Sequence, residues 1–119
     1  MEGVTILVVD ADSRTSRSVE RALGSEAGRV VTAGSTGAAR QLGGSFDVGV
    51  FGIELGSSSG VDLAEELLSE GKVGQVVFFS GAMWQAPLRR AAALGPVLPR
   101  DCDPTELAEE LRRIVASGP

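Results

Sequence analysis

Phe46-Asp-Val-Gly-Val-Phe-Gly-Ile-Glu-Leu-Gly-Ser-Ser-Ser-Gly-Val-Asp-Leu63 is the stretch whose reading decides the fold. Residues 46–51 are a short, almost unbroken apolar run, the pattern of a strand buried on both faces rather than one. A polar Gly/Ser loop follows. Val61–Glu70 then has the periodicity of an amphipathic helix, with Val61, Leu63, Ala64, Leu67 and Leu68 inward and acids on the other side.

The same unit recurs on either side. Upstream, Val4–Val9 is an apolar, β-branched strand that ends in Asp10-Ala-Asp12-Ser13, where Asp12 or Ser13 can cap a helix to Leu23. Arg29–Ala33 reads as a second strand. Gly34-Ser-Thr36 opens a short helix to Leu42, closed by Gly43-Gly44. Downstream, Gly71 and Gly74 mark a turn, Gln75–Phe79 is a fourth strand, and a helix covers about 85–93, with Pro87 in its first turn. Gly95–Pro99 is a poor strand carrying two prolines, which confines it to a sheet edge. Asp103 to about Ala116 is the last helix. Strands alternating with helices at this pace predict an α/β domain spanning 1–119. Its sheet is doubly wound, parallel and five-stranded, in the order 2-1-3-4-5, with helices on both faces. Residues 117–119 read as a true end or the start of a linker.

Composition narrows the chemistry. With 119 residues the chain has room for one core. A formal charge of −5 speaks against a nucleic-acid partner, whose phosphates need clustered cations. The single Cys102 permits no intrachain disulfide, and the absence of His removes the commonest general base and metal ligand. No apolar run is long enough for a membrane span, and the amino-terminal residues lack a signal-peptide pattern, so a cytoplasmic location is expected. In a doubly wound sheet the ligand crevice lies beyond the carboxyl ends of the strands. Asp10–Asp12, Gly52–Ser59, Ser80–Ala82 and Pro99–Asp103 fall there.

These residues together resemble the CheY-like receiver domain of two-component response regulators, a flavodoxin-like fold, over essentially the whole chain. Asp10 falls on the first member of that family's acidic pair and Ala11 on the second. Gly52 falls where the phosphoacceptor aspartate ends the third strand. Leu55-Gly-Ser-Ser-Ser-Gly60 replaces the usual Met-Pro-Gly-Met-Asp-Gly. Ser80 occupies the place of the Ser/Thr after strand four, Arg100-Asp101 that of the Lys-Pro pair, and Val97 that of the aromatic switch residue. In the family, carboxylates hold Mg²⁺ and the lysine neutralises charge during phosphoryl transfer. Glycine offers no nucleophile and Ala11 no ligand. The resemblance therefore implies an atypical receiver, not an enzyme, that signals through protein partners without aspartyl phosphorylation, metal or other cofactor.

The degenerate pocket is expected to comprise Asp10, Ala11, Asp12, Gly52, Ser80 and Arg100. Asp12 reads as a helix cap in preference to a metal ligand. Arg100 either pairs with Asp10 or Asp12 or points to solvent. Glu54 and Ser57–Ser59 read as an exposed charge and a flexible loop, and Cys102 as a filler or surface thiol. Partners, including a second copy of the chain, are expected on the face of the fourth helix, fifth strand and fifth helix, with Met83, Trp84 and Val97 as candidate contacts. Trp84 also fits local packing. Two other functions compete. Asp10-Ala-Asp12 resembles the Asp-x-Asp of haloacid-dehalogenase-like phosphatases, with Ser80, Arg100 and Asp101 or Asp103 in supporting places. The helix directly after Asp12 leaves no room for that family's flap. A pocket of Gly52, Ser80 and Arg100 could instead sense a small anion.

Overall fold

Alternation along the strands sends successive side chains into two separate cores. The computed structural model describes residues 3–24, 28–55, 58–80, 85–99 and 104–117. Within it β1 (Thr5–Val9), β2 (Arg29–Ala33), β3 (Phe46–Gly52), β4 (Val73–Ser80) and β5 (Val97–Pro99) form a parallel five-stranded sheet. Its order is β2-β1-β3-β4-β5, as the alternating pattern predicts. Ile6 and Val8 of β1, Val48 and Val50 of β3, and Val77 and Phe79 of β4 point to one face. They meet Val19 and Leu23 of α1 (Ser13–Leu23) and Leu107, Ala108, Leu111 and Ile114 of α5 (Pro104–Ser117). Leu7, Val9, Phe51, Val76 and Phe78 point to the other face. There they meet Ala39 of α2 (Thr36–Gln41), Val61, Leu63, Ala64 and Leu67 of α3 (Gly60–Ser69), and Ala91 of α4 (Gln85–Leu94).

The central strand is the best buried. β3 contributes Val48, Val50 and Phe51 at zero exposure, and its neighbours pair with it on both sides. Gly49 interrupts the apolar run for a packing reason: a Cβ there would strike the ring of Phe51. That ring in turn lies against Phe78, with centroids 6.1 Å apart and tilted. At the amino edge, Asp47 Oδ2 accepts hydrogen bonds from the Thr5 backbone N–H at 2.8 Å and the Thr5 hydroxyl at 3.1 Å. The Asp47 N–H returns one to Thr5 Oγ1 at 3.2 Å. This clasp extends the β1–β3 ladder one residue ahead of its first paired position, Ile6 with Val48.

Three local expectations are corrected. β4 starts at Val73, not Gln75, because Val73 pairs with Phe46 and the Phe46 N–H reaches the Lys72 carbonyl at 2.7 Å; Gly74 is thus a strand residue, and the turn belongs to Gly71, at φ +73°. The polar loop after β3 is partly ordered, with 54–55 and 58–59 pairing antiparallel. Helix α3 begins at Gly60, one residue early, because the Ser59 hydroxyl accepts the Asp62 N–H at 3.2 Å as an N-cap. β5 has the predicted character: three residues on the sheet edge, ending in Pro99. No described helix is long and apolar enough to cross a membrane.

Candidate functional site

The parallel register sets the carboxyl ends of three strands side by side. Val9 pairs with Phe51, so Asp10 follows β1 level with Gly52, the last residue of β3. Gly52 pairs in turn with Phe79, and Ser80 ends β4 one step further. Asp10, Gly52 and Ser80 therefore come to one edge of the sheet from adjacent strands. The side chain of Ser80, and Arg100, Asp101, Cys102 and Asp103, lie outside the described residues, as do Met83, Trp84 and the side chain of Glu54. Val97 is half-buried against the core on the α3 side.

Asp10 is 2% exposed, a rare position for a carboxylate unless it is well bonded. Its Oδ1 accepts the Asp12 N–H at 2.8 Å, its own N–H donates to the Ala33 carbonyl at 3.2 Å, and it makes further interactions. Asp12 turns the other way. It is the N-cap of α1, its Oδ1 accepting the Arg14 N–H at 2.9 Å, and that backbone hydrogen bond holds its carboxyl below the usual range, with the Arg14 guanidinium at 3.5 Å adding to it. Ala11, between them, is exposed and brings only a methyl group.

Gly52 is buried, and the α3 amino terminus closes directly over it. The Ile53 N–H donates to the Phe79 carbonyl at 3.0 Å and the Gly60 N–H to the Ile53 carbonyl at 2.7 Å. A Cβ on Gly60 would collide with the carbonyl oxygen of Gly52. Glycine at 60 is thus required by close backbone approach, a reason invisible in the motif match alone. Among the described residues no group of three or more acidic, Cys or His side chains is arranged to hold a metal ion.

Beside Asp10 the structure shows a feature that the motif-based reading passed over. A groove of about 260 Å³ runs between α1 and the carboxyl end of β2, lined by Asp10, Ser13, Ser16, Arg17, Glu20 and Thr32 among others. Ser16 could have drawn attention in the sequence, because it stands three and seven residues before Val19 and Leu23, on the buried stripe of α1.

The fold is shared with solved receiver domains. A signal receiver domain from Pseudomonas fluorescens superposes with a TM-score of 0.88 at 18% identity, covering 97% of this chain and 96% of that one. The beryllofluoride-activated receiver domain of DrrB, a Thermotoga maritima protein, gives 0.86 at 19% identity over 96% and 98%. The receiver domain of a putative response regulator from Mycobacterium tuberculosis, NarL, gives 0.77 at 23% identity over the full length of both chains. No protein-family model and no curated protein matches the sequence. At these identities the likeness establishes the CheY-like fold and leaves function to be argued from the site.

Proposed function

We propose that this chain is an atypical response-regulator receiver domain that works in signal transduction by binding protein partners, without phosphorylation of an aspartate. The observation that carries the reading is Gly52. It ends β3, level with the buried Asp10, at the point where the crevice of such a sheet opens. A phosphoacceptor there needs a carboxylate oxygen, and a glycine has none. Ala11 supports the same conclusion, since a hard divalent cation needs several oxygen ligands and this position supplies no side-chain oxygen. Asp12 is occupied as a helix cap. The apolar pattern of the fold is kept while the groups for phosphoryl transfer are replaced, the combination expected of a scaffold retained for its surfaces.

On this reading the partner-binding surface is the face built from α4, β5 and α5, used for an output or signalling protein or for a second copy of the chain. Val97 has partly exposed apolar surface there, as do Leu94, Leu98 and Val115. Soluble protein without Mg²⁺ or another cofactor is the expected active form. The experiment is an amide-resolved NMR titration with beryllofluoride and Mg²⁺. The reading predicts no saturable shifts at Asp10, Gly52 or Ser80. Saturable shifts there would show that a working phosphoryl site survives.

A further inference from the structure

We propose that the groove between α1 and the carboxyl end of β2 binds a small zwitterion of the amino-acid type, its ammonium group on the floor and its carboxylate at the rim. The floor is polar and buried. Asp10 is 2% and Ser16 7% exposed, and both line the groove. The Ser16 hydroxyl makes no hydrogen bond among the described residues, although the hydroxyl sits on the helix face that otherwise carries Val19 and Leu23. A buried hydroxyl left unsatisfied costs on the order of 1–3 kcal/mol, so such groups are normally bonded to something. A ligand or a water within the groove is the available partner.

Charge orders the ligand. Asp10 is already engaged, but a carboxylate has about four acceptor directions and can still receive an N–H from a bound ammonium. At the rim, Arg17 is exposed and forms no ion pair among the described residues, in contrast to Arg14, Arg40, Arg90 and Arg113, which do. A guanidinium with its fork free is suited to a carboxylate in bidentate geometry. Thr32 offers a hydroxyl from β2, and Glu20, one helical turn after Arg17, faces the same groove as an acceptor for a substituent. The size agrees: about 260 Å³ lies below the roughly 300–1,000 Å³ of sites for drug-sized ligands. The groove shares Asp10 with the phosphorylation pocket, whereas Ser16, Arg17, Glu20 and Thr32 lie outside it.

The test is an NMR amide titration of the full chain with each free proteinogenic amino acid, with methylamine and acetate as the two separated halves of the ligand. At least one amino acid should give saturable shifts centred on Ser13, Ser16, Arg17, Thr32 and Gly34, with a Kd of about 1 mM or tighter. Methylamine and acetate should each bind at least about tenfold more weakly, and Arg17→Ala should weaken the amino acid by about tenfold while leaving the unfolding midpoint unchanged. Ser16→Ala, which favours helix and keeps the fold, should also lower affinity. The absence of saturable shifts with every amino acid would overturn the proposal and leave water as the partner of Ser16. Shifts that survive Arg17→Ala, or that centre on Gly52 and Ser80, would overturn it equally.

Discussion

At Gly60 the first residue of α3 presses against the carbonyl oxygen of Gly52, and a single methyl group has no space there. Gly60→Ala is therefore expected to destabilise the protein by about 1–3 kcal/mol, measured by urea unfolding, because backbone and not a flexible side chain must yield. The same substitution at Gly34, where nothing lies within 4 Å of the added carbon, should be close to neutral and serves as the control. Asp12 gives a prediction in pH. Its carboxyl is held below its ordinary range by the Arg14 N–H, so the folded state favours the ionised form. Its contribution is present above about pH 4 and is lost as pH falls through the lowered folded value. Glu66, lowered by the Arg40 guanidinium at 2.8 Å, acts with the same sign. Asp12→Ala should flatten the acid limb of the stability curve, and an unchanged limb would contradict the cap.

Among the elements, α4 meets its side of the sheet through few described side chains. Its described contact with the core is Ala91 with the half-buried Leu94, and Gly95 then brings the chain so close to the Val76 carbonyl that no Cβ fits. Outside the core, Arg90 bridges to α3, reaching Asp62 at 2.6 Å and Glu65 at 2.7 Å. These pairs are exposed, so salt screens them. Hydrogen exchange should therefore show α4 amides losing protection first in Arg90→Ala, and in wild type at high salt, while β3 amides keep theirs. Equal loss across both elements would refute the idea that the ion pairs hold α4 locally. Apolar period made the strands and helices legible in sequence. The start of β4 was not, because Gly74 is a turn signal in isolation and a strand residue only once Val73 pairs with Phe46.

For the molecule as a whole, the two cores on opposite faces of one sheet follow directly from the runs at 4–9, 46–51 and 75–79, whose odd and even residues both had to be buried. Phe78→Ala, at the contact with Phe51, should cost about 3–5 kcal/mol of global stability, read from chemical unfolding. The site was legible in a different way. Position along the strands brought Asp10, Gly52 and Ser80 to one edge, but the groove beside Asp10 depends on how α1 and β2 pack, and no motif encodes that. The central claim is that the receiver scaffold persists without its phosphoryl chemistry. Incubation of the full chain with a small phosphodonor and Mg²⁺, followed by intact-mass measurement, tests it most directly. The account predicts no phosphoryl adduct; a stoichiometric adduct sensitive to hydroxylamine, the mark of an acyl phosphate, would contradict it.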